Sequence, residues 1–350
     1  SDTSPDAGPV DTLAPGDTAL PHDTPLSPET GPDTQPPEKT GLGIDYGATE
    51  PGAVPRFEPD DFDWTAAGWP NDRLRDEDGV ITLLNFPNPG SSLLLEYVQH
   101  GMEILDGFGL NGAIYFQFDG ALDVATLPRE TATREPLSHI QLVNVSPQSA
   151  RYDERLPLLF RFYDEGSDPY YLDRTLAMRP VYGRPLAEGA TYCAIVTRAV
   201  KDAEGRYLQA APGFHEAIAN DSSLAPLRDW LVHAALRTDD IAIATCFTTQ
   251  HATLELRVVR DLIETEPVPE VTFSTEPLVF GELHGTYLSP NFQAGEKPYE
   301  EGGDLQFDAD GAPIVQAQEE VRFMLLVPQI GEMPASGWPT VLYAHGTGGD

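Results

Sequence analysis

The sequence is short of cysteine, of lysine and of long apolar runs, and each shortage argues against a class of protein. Two cysteines, Cys193 and Cys246, are too few for a disulfide scaffold or a cysteine-rich metal site. They allow one bridge in an oxidising compartment or two ordinary buried thiols, and the sequence favours neither. Lysine occurs only at Lys39, Lys201 and Lys297, and 21 basic residues face 56 acidic ones, for a formal charge of −35. A surface of that sign repels phosphate backbones and anionic bilayers, which argues against nucleic acid as a partner. No stretch approaches the roughly 18–20 continuous apolar residues of a membrane-spanning helix. The first residue is Ser1, with no basic and apolar leader behind it.

What is present falls into three textures. Residues 1–55 read as a disordered Pro/Asp/Thr-rich spacer: "SDTSPDAGPVDTLAPGDTALPHDTPLSPETGPDTQPPE" holds no Lys, no Arg and no aromatic residue. Such a stretch buries too little apolar surface to offset about 1–2 kcal/mol per residue of backbone ordering. Its expected role is to hold a folded body away from a cell surface.

Residues 56–270 read as a β-rich domain. "GAIYFQFDG" (112–120) alternates apolar and polar residues between glycines, as a half-buried strand does. "HIQLVNVS", "LPLLFRFYD", "LAMRPV", "TYCAIVTRAV" and "IAIATCFTTQ" follow, separated by turn signals such as "SPQS" and "DEGSDP". Many short strands at this spacing predict an antiparallel sandwich. Helical periodicity interrupts it three times. In 90–108, Leu94, Leu95, Val98, Met102 and Leu105 share a face behind a serine pair suited to an N-cap. In 222–237, Leu224, Leu227, Leu231, Ala234 and Ala235 do the same, and 250–263 is a third helix before the prolines of "ETEPVPE". Trp64, Trp69, Phe108, Tyr115, Phe116, Phe160 and Phe162 read as core rather than as a carbohydrate platform.

Residues 271–350 change texture. Val321, Phe323 and Leu325 alternate in one strand, and Val341-Leu342-Tyr343-Ala344 is continuously apolar, predicting a strand covered on both faces. That run feeds His345-Gly346-Thr347-Gly348-Gly349. Gly346-Thr347-Gly348 supplies only the first half of a dinucleotide fingerprint, and no Lys-Ser/Thr pair follows Gly349 as a phosphate loop requires. Acyl-transfer hydrolases use the remaining arrangement: a strand, then His-Gly and further glycine, turning a backbone N–H toward a carbonyl oxygen as it becomes an oxyanion.

"VRFMLLVP…GWPTVLYAHGTGGD" resembles the first core strands and oxyanion loop of the α/β-hydrolase superfamily. "FDWTAAGWPNDRL", "LDGFGLNGAIYFQFDGALD", "RPLAEGATYCAIVTRAVKDAEGRYL" and "IAIATCFTTQ" resemble the amino-terminal Ig-like domain of bacterial extracellular lipases and related lipoproteins. The resemblance spans roughly 60–350. It implies that Thr347 supplies the oxyanion N–H, that Gly346 and Gly348 permit the turn, and that His345 braces it. It also implies a nucleophile in a G-x-S-x-G elbow, and none occurs in these residues; Ser336 in "PASGW" lacks that setting. The 350 residues therefore read as an inactive amino-terminal part of a longer enzyme, its hydrolase domain incomplete.

Metal chemistry has weaker support. His100, His139, His215, His233, His251 and His284 are scattered without ligand spacing. Asp304, Asp308 and Asp310 match a Ca²⁺ loop only in part, so a turn between strands is expected there. The expected fold is mainly β, an Ig-like sandwich with inserted helices followed by the first strands of an α/β-hydrolase domain. The expected function is an exported serine esterase or lipase acting on ester or lipid substrates. It needs no cofactor, and it is extracellular or held at the cell surface by an anchor upstream. The alternative is an Ig-like surface binding or adhesion module on an acidic stalk.

Overall fold

The computed structural model describes residues 41–344 other than 62, 84–85, 88–89, 167–169, 171, 275–280, 300–301 and 329. Its centre is two antiparallel three-stranded sheets that share one apolar core. Six strands build them: β1 (Ile114–Gln117), β2 (Ile140–Asn144), β3 (Leu158–Tyr163), β4 (Thr175–Pro180), β5 (Thr191–Thr197) and β6 (Ile241–Thr248). One sheet runs β1-β4-β3, with Phe116 opposite Leu176. The other runs β2-β5-β6, with Cys193 opposite Cys246.

The two sheets differ in burial for a reason visible in their sequences. β1 alternates buried Ile114 and Phe116 with half-buried Tyr115 and Gln117, the period-2 pattern of a sheet with one wet face. β2, β5 and β6 are buried almost throughout, as their near-continuous apolar runs require. Helix α3 (Ala225–Leu231) and the 222–224 turn pack on β5 and β6, and α2 (Phe214–Asn220) packs on α3. Phe214, Ile218, Leu227 and Trp230 enter the same core cluster. β2-β5-β6 is therefore an inner layer.

The helices predicted at 90–108, 222–237 and 250–263 form as α1 (Ser92–Ile104), α3 and α4 (Leu254–Thr265). The hydroxyl of Ser91 caps α1 by accepting from the Leu94 N–H at 3.2 Å. α1 and α4 bury no residue, so their apolar stripes rest only partly covered. Sequence periodicity missed α2, whose single buried pair, Phe214 and Ile218, is too short a pattern to stand out.

Residues 41–55 correct the expected spacer, since they are packed against the body. The Gly41 N–H donates to the Ala235 carbonyl (3.0 Å), and Ala53 lies in the core. Buried Asp240 accepts from the N–H groups of Leu42 (3.2 Å) and Arg237 (3.0 Å) and from the Tyr46 hydroxyl (3.4 Å). Burial, reinforced by the Asp240 charge, raises the Tyr46 phenol above its ordinary pKa. The long-range pairings of this segment are what composition alone does not show.

Two further bonds fix the body. Cys193 and Cys246 form a disulfide across β5 and β6, with Cα atoms 4.1 Å apart, which closes the alternative left open by the sequence. In "KDAEG", the fully buried Asp202 carboxylate accepts from the backbone N–H groups of Ala53 (3.2 Å), Glu204 (3.1 Å) and Arg206 (2.9 Å), and from Arg206 Nε (2.8 Å).

The remaining strands are β7 (Thr272–Phe273), β8 (Glu282–Asn291), β9 (Gln293–Gly295), β10 (Gly302–Leu305) and β11 (Ala317–Leu326). β8 and β11 pair antiparallel from Asn291–Ala317 to Glu282–Leu326. The Phe323 ring lies across Gly285, where a Cβ would come within 2.5 Å of it, and packs against Phe273 and Tyr287. Asp308 to Gly311 is a turn, the Asp308 carboxylate accepting from the N–H groups of Asp310 and Ala312 at 2.9 Å each. None of these residues joins the main core cluster, which ends at Phe247.

Replacing Asp202 by Ala strands three backbone donors and is expected to cost about 2–4 kcal/mol in urea unfolding. Burial alone would raise the Asp202 pKa, but the Arg206 and backbone hydrogen bonds outweigh it and hold the carboxyl below its usual range. Its contribution is thus complete above the unfolded carboxylate pKa and is lost as pH falls through the depressed native value. For the disulfide, the Cys193→Ala/Cys246→Ala protein should lose about 2–4 kcal/mol in the same measurement. An unchanged midpoint in either case contradicts the assignment.

Candidate functional site

The strand expected at 341–344 is not formed. Val341, Leu342 and Tyr343 are 90%, 94% and 84% exposed, and residues 339–344 take no regular structure. A β segment exists only through backbone pairing, and among the described residues no strand lies beside this run. His345, Gly346 and Thr347 fall outside the described residues. Ser336 sits exposed in a turn closed by the Gly337 N–H donating to Pro334 O (2.9 Å), not at a strand-to-helix elbow.

Elsewhere, one pair has the look of catalytic machinery. His251 Nδ1 lies 2.6 Å from Asp106 Oδ2, and the His251 backbone N–H donates to Oδ1 at 3.1 Å. A carboxylate orienting an imidazole is two-thirds of a nucleophilic triad. The third member is missing. His251 Nε2 is turned onto Gly189, where an added Cβ would lie 2.2 Å from it. No serine is bonded to Nε2 among the described residues, and both cysteines are in the disulfide. The pair is a latch between the 106–108 loop and the segment after β6. Burial works to raise the Asp106 pKa, and the hydrogen bonds from His251 reverse that and hold it low.

Several acidic residues are likewise committed to structure. Arg56 alone binds Glu58 (2.7 Å), Asp61 (2.9 Å) and Asp63 (2.6 Å). Among the described residues no group of three His, Cys, Asp or Glu side chains is placed to hold a metal ion.

The aromatic residues read as core divide in two. Phe116, Phe108 and Trp64 are buried and Trp69, Tyr115, Phe160 and Phe162 half-buried; of these Trp64, Trp69, Phe108 and Tyr115 line a cleft of about 340 Å³ with Phe86, Tyr170 and Phe247. Its floor is built in steps from the sheets. Gly68 takes φ +80°, and a Cβ there would strike the Phe116 ring at 2.8 Å. Trp69 then pairs with Tyr115 through N–H···O bonds of 3.1 and 2.7 Å. Thr245 Oγ1 donates to Pro70 O (2.6 Å), and the Thr248 N–H and hydroxyl donate to Asp72 at 2.8 and 2.7 Å. Burial pushes the Asp72 carboxyl up, against those Thr248 bonds. Phe108 joins the far wall, its N–H donating to Thr248 O at 2.8 Å. Pro70 and Asp72 are pinned through partners 175 and 176 positions away, so no local pattern announced the cleft.

No family model matches the chain, and no curated protein matches it. Among solved structures the chain is similar to "Crystal structure of the S-layer protein rSbsC(31-844)", at 10% identity and a TM-score of 0.21. The match covers 69% of this chain and 36% of that one.

Asp106→Asn should leave p-nitrophenyl acetate hydrolysis by the chain at the buffer rate while lowering its melting temperature at neutral pH. The parent should lose this difference as pH falls through the depressed Asp106 pKa, so the two melting curves converge in acid. Esterase turnover that disappears in the variant would show the latch to be catalytic after all.

Proposed function

We propose that the chain is the amino-terminal region of an exported serine ester hydrolase. In this reading the two-sheet body is an Ig-like accessory domain, and β8–β11 with the 341–344 run opens an α/β-hydrolase core. One observation carries it: a long antiparallel hairpin is followed by an apolar run that leads into His-Gly-Thr-Gly-Gly and is left bare. Leu288, Met324 and Leu326 on the hairpin are also more than half exposed. Apolar surface of this extent is normal on a face that further chain or a partner covers. The disulfide supports an oxidising, extracytoplasmic setting, and no helix among the described residues is long and apolar enough to cross a membrane.

The chemistry is acyl transfer through a serine, histidine and acid that lie outside these residues. Thr347 contributes its backbone N–H to the tetrahedral oxyanion, and Gly346 and Gly348 let the substrate approach the backbone. An ester or lipid is the substrate and no cofactor takes part.

A fluorophosphonate probe applied to the full gene product tests this. The expected label is on a serine outside residues 1–350, with the isolated chain unlabelled. Thr347→Pro, which deletes the donor, should lower kcat about 10²–10³-fold. A product with no reactive serine would leave the surface-binding alternative in its place.

A further inference from the structure

We propose that the aromatic cleft of the β body is a binding site for one uncharged hydrocarbon chain, the tail of a neutral single-chain amphiphile such as an alcohol or ester. The site belongs to the body and does not rest on the acyl-transfer reading. Three observations select this ligand class over others that favour aromatic walls.

The rings are set against one another. Trp64 and Trp69 meet at 76°, Trp69 and Phe108 at 84°, and Trp64 and Tyr115 at 79°, all with centroids 5.4–5.8 Å apart. Edge-to-face packing spends ring faces on neighbouring rings, so few remain to surround a cation. Among the described residues the lining holds no charged side chain, so a carboxylate would be desolvated without an ionic partner. The formal charge of −35 adds a further penalty against an anionic head group. A saturated chain has no polar group to desolvate on entering such a cleft and gains its transfer free energy.

The mouth is built to stay open. Gly109 and Gly112 are both exposed at the rim. A Cβ at Gly109 would meet nothing within 4 Å, and one at Gly112 only the Gly109 carbonyl at 3.9 Å. Neither glycine is demanded by packing. About 340 Å³ lies at the lower end of the range for small-molecule sites, enough for one short chain.

The test is calorimetric titration of the 350-residue chain with primary alcohols of four, six and eight carbons. Affinity should rise about fourfold for each added methylene. Gly112→Trp, whose Cβ has room at the rim, should weaken octanol about tenfold or more while leaving the melting temperature unchanged. Phe86→Asp should also weaken octanol, with a lower melting temperature because its ring packs against Trp64, Trp69 and Tyr170. The proposal is overturned by an affinity that is flat across the series, by unchanged octanol binding in both variants, or by tetramethylammonium or cellobiose binding more tightly than octanol. It is likewise overturned if the chain binds phosphatidylcholine vesicles but no free alcohol.

Discussion

The pairing of β5 with β6 is the constraint from which the rest of the body follows. It runs from Thr191–Thr248 to Thr197–Ile241 and is closed covalently between Cys193 and Cys246. Because both strands are apolar on both sides, the sheet cannot face water on either. It is covered by residues of β1-β4-β3 and of the helical segment 214–236, which share its apolar cluster. The layer order is a consequence of that double burial.

Burial on this scale leaves backbone donors in the connections that need partners, and two carboxylates provide them. Asp202 gathers the turn after β5 and reaches across to Ala53, while Asp240 gathers the turn before β6 and reaches to Leu42. Both bind the 41–55 segment to the same sheet. An isolated buried carboxylate would be costly, but each of these has hydrogen-bond donors on its oxygens. The acidic composition is thus partly internal architecture and not only a solvated exterior.

The same sheet contributes to the aromatic cleft. Thr245, Phe247 and Thr248 hold its wall from β6, and Trp69 is set in place by pairing with Tyr115 of β1. The cleft thus lies where the two sheets meet, with Tyr115 from β1, Phe247 from β6 and the rest of its lining from loops. The 272–344 region differs. Its hairpin is internally well paired, yet Leu288, Met324, Leu326 and the 341–343 run stay in water.

Strand existence was legible because six runs carried either alternation or continuous apolarity between turn residues, and β1 to β6 appear where those runs lie. The Ser91 cap and the helix stop before Pro267 were legible for the same local reason. The motif at 345–349 was legible as a string of residue types, but its geometry depends on neighbours that a run of sequence does not contain. Whether Cys193 and Cys246 face each other depends on β5–β6 register, a fact about two strands separated by 53 residues. The packing of 41–55 and the joining of Trp69, Phe108 and Tyr115 into one wall are of the same kind. Local chemistry decides which segments become strands, helices and turns; only the three-dimensional pairing decides which of them meet, because contact between distant segments is set by the burial of the whole chain.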